Sequence, residues 1–230
     1  MKILFDNYQS TNECKSLWGF SLYLEEYRLL FDTGSNGRVL LQNMKKANVN
    51  PKEIEYIFIS HFHWDHIFGI DSIIELNDNI TLILPNSFSK TFAKDFETLT
   101  KQVIIINEEP QKLFGNLYTT GVLGKETPEQ SLIIKDEYPK LITGCGHYGI
   151  DKIVKIAKWV INADVNIAAG GFHLFDKDEE DIVNIIKKLK HLGVESVLPT
   201  HCTGDKAIML FKEYFGQYYY SGGVCREIFI

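Results

Sequence analysis

The sequence predicts an α/β protein built as a four-layer α/β/β/α sandwich, two mixed β-sheets flanked by helices. Three observations lead there. Short runs rich in Val, Ile, Leu, Tyr and Phe recur along the chain and read as strands. Amphipathic helical patterns lie between them. Each half opens with hairpin-like strands and closes with helix, strand, helix, so two strand-rich layers have helices left over for their outer faces.

In order, the strand pattern occupies 2–6, 19–24 and 27–32, followed by a helical pattern at 36–47. A strand at 56–60 leads into a helix at 65–77, then strands at 80–84 and 102–106, with 85–101 the least regular stretch. Strands at 115–121, 131–135 and 139–143 open the second half, where helices at 149–162, 176–192 and 204–215 alternate with strands at 166–170 and 195–199. A strand at 226–230 ends the chain. The helix at 176–192 is the clearest. Asp178, Glu179, Glu180 and Asp181 sit in its positive first turn, Lys187, Lys188 and Lys190 near its negative end, and Gly193 can take the left-handed cap. Ile182, Ile185, Ile186 and Leu189 form its apolar stripe.

Composition bounds the function. At 230 residues, with 45% apolar and 23% charged residues, 17 glycines and 6 prolines, the chain reads as one folded domain over 1–230. A net charge of -6 without a basic run argues against a protein that holds nucleic acid by its phosphates, though not against small anionic ligands. No run of 18 apolar residues and no leader-like segment at Met1–Asp6 point to a soluble, cytoplasmic protein without membrane contact, acting on a small molecule. Four cysteines (Cys14, Cys145, Cys202 and Cys225) are too few and too irregular for a disulfide framework, so most are expected to be reduced. Nothing here reads out the oligomeric state.

The chemistry concentrates in Ile59-Ser60-His61-Phe62-His63-Trp64-Asp65-His66, where a strand-like run ends in three histidines and an aspartate. His61 and His63 differ by two, so on extended backbone both imidazoles project to one side and can close on one cation. Asp65 and His66 fall where a helix starts and could serve a second. A surface turn with titrating histidines is the plain alternative, but turns seldom concentrate ligands at strand-end spacing.

This segment resembles the HxHxDH signature of the metallo-β-lactamase superfamily. Leu30-Phe31-Asp32-Thr33-Gly34 resembles the family's early strand end, and Val197-Leu198-Pro199-Thr200-His201 its last histidine motif. ITGCGH (142–147), GGFHL (170–174) and PTHCTG (199–204) are similar to a branch of metal-dependent hydrolases that includes archaeal proteins related to a dihydropterin ribofuranosyl-aminobenzene phosphate synthase. The resemblance implies the α/β/β/α fold, His61, His63 and His147 on a first metal, and Asp65, His66 and His201 on a second; Asp65 and His173 are the candidate catalytic residues. Two family ligands are missing: Gly124-Lys125-Glu126 stands where a histidine is expected, and Cys145 where a bridging aspartate is. His147, two residues past Cys145, can face the same cavity and replace the absent histidine. The bridging group stays open. Cys145 reads either as a thiolate bridge or as a small buried cysteine, and Cys202 as packing behind His201. His173, after Gly170-Gly171, reads as a further ligand, a proton donor, or a loop histidine. Asp32 reads as the acceptor that orients a ligand histidine or as a turn residue. Phe62, Trp64, Tyr148 and Phe172 wall a pocket or fill core, Tyr218–Gly223 reads as strand edge, and His191 only complements a helix dipole.

A cation held by histidines with one position open brings the pKa of bound water toward ~7, and two cations ~3.5 to 4 Å apart stabilise both attacking and leaving oxygens. A dinuclear hydrolase of an ester, phosphoester or related bond follows. Zinc, two ions, suits nitrogen-rich tetrahedral ligation, and iron or manganese also accept nitrogen and carboxylate. A secreted lactamase needs an export signal, an RNA-processing relative a basic channel or extra domain, and the oxygen-reducing members a flavin domain. The alternatives are a catalytically silent metal-binding or sensor protein and a phosphoester or pterin-pathway synthase-like enzyme.

Overall fold

The computed structural model describes residues 1–229. The chain forms two compact units: Met1–Ile106 together with the chain from Gly222 onward, and Asn107–Ser221. Each unit is built on a mixed six-stranded sheet with its strands in chain order, and each carries helices, as the sequence predicts.

In the first unit β1 (Lys2–Phe5), β2 (Ser21–Leu24) and β3 (Leu29–Phe31) run antiparallel. They continue into β4 (Tyr56–Phe58), β5 (Thr81–Pro85) and β6 (Gln102–Ile106), all parallel to β3. The change of direction follows the connections. Tight links join the first strands, while helix α1 (Gly37–Lys46) crosses from β3 to β4 and returns the chain parallel. Asn36 caps α1 by accepting the Val39 N–H at 3.0 Å, and Val39, Leu40 and Met44 bury against Leu30, Ile57, Leu82 and Leu84. β3, β4 and β5 are almost wholly buried, hence their near-continuous apolar runs.

In the second unit β7 (Gln111–Lys112), β8 (Leu117–Thr119), β9 (Leu132–Ile134) and β10 (Lys140–Thr143) form an antiparallel meander. β10 then pairs parallel with β11 (Ile167–Gly171), and β11 with β12 (Ser196–Thr200). The crossovers are α5 (Ile150–Ile161) and α6 (Glu179–His191), and α7 (Asp205–Phe215) follows β12. α5 buries Ile150, Ile153, Val154, Ala157 and Ile161, a single helical stripe, and α7 adds Ala207, Phe211 and Phe215 to the same apolar cluster. α6 has the predicted ends: Asp178 accepts the Asp181 N–H at 2.8 Å and Gly193 is left-handed.

Four expectations are corrected. The helix expected at 65–77 is two short ones, α2 (Trp64–Ile67) and α3 (Ile70–Ile74). Gly69 breaks it: its N–H goes to Thr33 Oγ1 at 3.2 Å, and a Cβ there would lie 2.2 Å from the Thr33 carbonyl oxygen. The irregular stretch 85–101 contains α4 (Lys90–Glu97), capped by Ser89. The strand expected at 226–230 is a single bridge, Lys2↔Glu227, with the last residue lying outside the described ones. Cys14 and Cys225 form a disulfide rather than staying reduced, joining residues 211 apart in sequence within the first unit. No helix among the described residues is long and apolar enough to cross a membrane.

Candidate metal centre

Parallel pairing decides where the histidines arrive. β3 and β4 are in register, Phe31 opposite Phe58, so Asp32 and the Ser60–His66 segment leave the sheet at one edge, the carboxyl ends of two neighbouring strands. There Asp32, fully buried and in the left-handed region at φ 53°, accepts the Ser60 N–H and the Ser60 hydroxyl, each at 2.7 Å, and bonds His66 Nδ1 at 2.7 Å. These contacts set protons. A carboxylate only accepts, so His66 carries its proton on Nδ1 and turns the Nε2 lone pair outward. The single Ser60 hydroxyl proton is spent on Asp32, so at 2.9 Å from His61 Nδ1 that oxygen accepts, which makes His61 Nε2 an acceptor facing His63 Nδ1.

His61 Nε2 lies 2.9 Å from His63 Nδ1, and Asp65 Oδ2 lies 3.7 Å from His66 Nε2. At this separation one ring donates its N–H to the other, and a cation taking the place of that proton would have both nitrogens as donors. The donors fit a metal. The structure thus brings all four predicted residues of HFHWDH together, and Asp32 is the orienting acceptor rather than a plain turn residue.

The second unit repeats the arrangement. β10, β11 and β12 run parallel with Thr143, Gly170 and Pro199 abreast, so Cys145 and His147, His173, and His201 all emerge from one sheet edge. His173 and His201 are left-handed at φ 50°, an uncommon backbone conformation for residues other than glycine. The donor atoms of Cys145, His147 and His173 lie within 4.8 Å of one another, as do those of Cys145, His201 and Cys202. The His147 and His173 rings are 4.3 Å apart, and His173 Nδ1 is buried without a hydrogen-bond partner. Gly170 and Gly171 make the close approach possible: a Cβ would lie 2.0 Å from the Thr143 carbonyl oxygen at the first and 2.6 Å from Cys202 Sγ at the second.

Cys202 faces Cys145 and His173. Burial works to raise its thiol pKa, but hydrogen bonds with the Cys145 and His173 side chains and the nearby His201 and His173 imidazoles carry it well below the ordinary thiol value. The same Cys202 contact raises the His173 pKa against the opposing effect of burial. When protonated, the Cys202 thiol donates to the Cys145 carbonyl at 3.6 Å.

Glu129 escaped the sequence reading. It is 1% exposed, and its carboxylate accepts the N–H groups of Cys145 (2.8 Å), Gly146 (3.0 Å) and His147 (2.8 Å), pinning the loop that carries two donors. One acid among 30 Asp and Glu residues carries no signal of this. Glu129→Ala is expected to leave three buried donors without an acceptor and to lower unfolding free energy by about 3 kcal/mol or more. Denaturant titration with an unchanged slope checks this, and an unshifted midpoint would remove the role.

The interleaved aromatics divide. Phe172 is core, while Phe62, Trp64 and Tyr148 are exposed by 53%, 51% and 40%. Tyr148 lines a cleft of about 670 Å³ with His147, His173, Lys152, Lys177 and Lys187. Of Tyr218–Gly223, expected as strand edge, Tyr219 makes a single bridge with Val197 and the Tyr220 N–H donates to the Val197 carbonyl at 2.8 Å, while Tyr218 ends a 3-10 turn (Gly216–Tyr218).

The sequence model of the metallo-beta-lactamase superfamily matches residues 21–204; the chain belongs to that superfamily. It is 32% identical to the 7,8-dihydropterin-6-methyl-4-(beta-D-ribofuranosyl)-aminobenzene-5'-phosphate synthase of Methanocaldococcus jannaschii, over 82% of this chain and 79% of that protein. It is 26% identical to a ribonuclease Z of Pyrococcus horikoshii, over 73% of this chain and 44% of that one. Among solved structures it is similar to Tm1679, a metal-dependent hydrolase of the beta-lactamase superfamily, at 25% identity and a TM-score of 0.81, covering 100% of this chain and 98% of that one.

Proposed function

We propose that this protein is a metal-dependent hydrolase of a small anionic phosphoester. The observation that carries the reading is the Asp32–Ser60 network, which presents the Nε2 lone pairs of His61 and His66 beside His63 and Asp65. The candidate donors are His61, His63, Asp65 and His66 in the first unit and His147 and His201 in the second, with zinc the best match to nitrogen-rich donors and iron or manganese next. When bound, the cations would supply Lewis acidity and activate water.

The rest belongs to the chain. Lys152, Lys177 and Lys187 along the cleft favour a phosphate-bearing molecule small enough for about 670 Å³, in line with the phosphate in the name of the Methanocaldococcus relative. Lys188 contributes less, since Asp151 pairs with it at 3.2 Å. His173, in the cleft wall beside His147, delivers a proton to the leaving oxygen. The synthase name of that relative favours a second reading, assembly of a phosphate-bearing product, and product analysis separates transfer from hydrolysis.

A panel of p-nitrophenyl phosphodiesters, phosphomonoesters, carboxylic esters, lactones and thioesters tests the proposal. Turnover of phosphoesters is expected, and turnover of carboxylic esters alone refutes the substrate class. His173→Asn is expected to keep the metals while lowering turnover by a factor of ~100 to 10000. Unchanged metal and unchanged turnover would return His173 to a loop histidine, and lost metal would make it a ligand.

A further inference from the structure

We propose that a second phosphate-binding groove runs on from the cleft, between α5 and α6 of the second unit, so that the molecule this protein takes carries two phosphate groups, one in each cavity. The inference rests on the phosphoester reading above and narrows its substrate class. The groove measures about 480 Å³ and is lined by Lys152, Lys155, Lys187, Lys188, His191 and Leu192, with Asp151. Lys152, Lys187, Lys188 and Asp151 also line the cleft that holds His147 and His173, so one cavity continues into the other across these side chains.

Helical spacing produces this arrangement. On α6, Asn184, Lys187, Lys188 and His191 stand at i, i+3, i+4 and i+7, one stripe opposite the buried Ile182, Ile186 and Leu189. α5 presents Lys152 and Lys155 three residues apart, both exposed. At ~1.5 Å per residue the α6 stripe runs about 10 Å from Asn184, in the cleft, to His191, in the groove. That is room for a phosphate at each end. The lysine stems and Leu192 give the groove apolar walls, which suit a carbon linker between the two.

Ion pairing sorts the cations of these helices by where they point. Lys158 pairs with Asp164 at 2.7 Å, and Lys190 bonds the Tyr214 carbonyl and lies over the Phe215 ring; neither lines the groove. Asp151 is the single acid among the described lining residues, and Lys188 pairs with it at 3.2 Å. Lys155, Lys187 and His191 line the groove with no acidic partner among the described residues. Like charges gathered without counter-charge repel, Lys187 and a protonated His191 at i,i+4 among them, and an anion seated between them removes that cost. On a chain of net charge -6 such a collection is complementary to a phosphate.

The test is titration calorimetry on the full chain as purified, with hexyl phosphate and 1,6-hexanediol bisphosphate as probes, which differ only in the second phosphate. The wild type is expected to bind the bisphosphate tighter by a factor of ~10, the yield of two or three exposed charge contacts, and to lose most of that difference at about 1 M salt. Lys155→Gln combined with His191→Gln is expected to bring the bisphosphate to the affinity of hexyl phosphate, and Lys155→Glu alone to do the same. Equal affinity for the two probes in the wild type, or a difference that survives in both variants, overturns the second phosphate site. Absence of phosphoester turnover with the difference intact overturns the hydrolase reading and leaves the groove standing. Failure of either probe to bind overturns the groove together with the phosphate reading of the cleft.

Discussion

A His61→Ala, His63→Ala double variant is expected to lose one of two metal equivalents and to fall to background hydrolysis. The two nitrogens lie 2.9 Å apart, and the Ser60 contact has already set His61 to present its Nε2 lone pair toward His63. Removing both leaves Asp65 and His66 in place, so the loss is confined to one position. Stability gives a second readout. A ligand that binds only the folded state at 100 times its Kd adds about 2.7 kcal/mol, so chelation is expected to lower the wild-type Tm and to lower that of the double variant much less. Wild-type metal content in the double variant would remove these residues from the centre.

Asp32→Asn and Asp32→Ala are expected to fail in different ways. Asparagine keeps the size and can still accept the Ser60 N–H through its carbonyl oxygen, but its amide nitrogen then points at His66 Nδ1 and the Ser60 hydroxyl. It donates where aspartate accepts, which drives the His66 proton from Nδ1 to Nε2, the atom that should face the cation. Metal affinity is expected to fall by a factor of ~10 to 100 with little loss of fold. Alanine leaves buried donors on Ser60 and His66 without an acceptor and is expected to cost about 3 to 5 kcal/mol in unfolding free energy. Equilibrium unfolding and metal titration on both variants check this. Equal metal affinity in wild type and Asp32→Asn would mean that Asp32 does not govern the tautomer.

What could be read in advance followed from local rules. Period-2 and period-3.6 apolar patterns placed eleven of the strands and four helices near their observed positions, because burial of one face is a short-range property of the chain. The capping of α6 was legible for the same reason, and α4 was missed because Ser89-Lys90-Thr91 gives a cap without a long apolar stripe behind it. Gly69 broke a helix whose stripe continued past it, because its partner is Thr33, 36 residues away.

The donors themselves were legible as residues: His61, His63, Asp65 and His66 sit within six positions, and Cys145, His147, His173 and His201 each stand just past a strand. Their chemistry is a matter of side-chain type and local spacing, which sequence carries. How they meet is not. Asp32 reaches Ser60 and His66 because β3 and β4 pair parallel and in register, and Glu129 reaches three amides near Cys145 because the chain returns through β9 and β10. The Cys14–Cys225 bond likewise joins ends 211 residues apart. Such contacts depend on which strands become neighbours. That choice is made by the global balance of core burial against chain entropy, so only the tertiary structure decided which hydrogen-bond partners orient the metal-competent side chains.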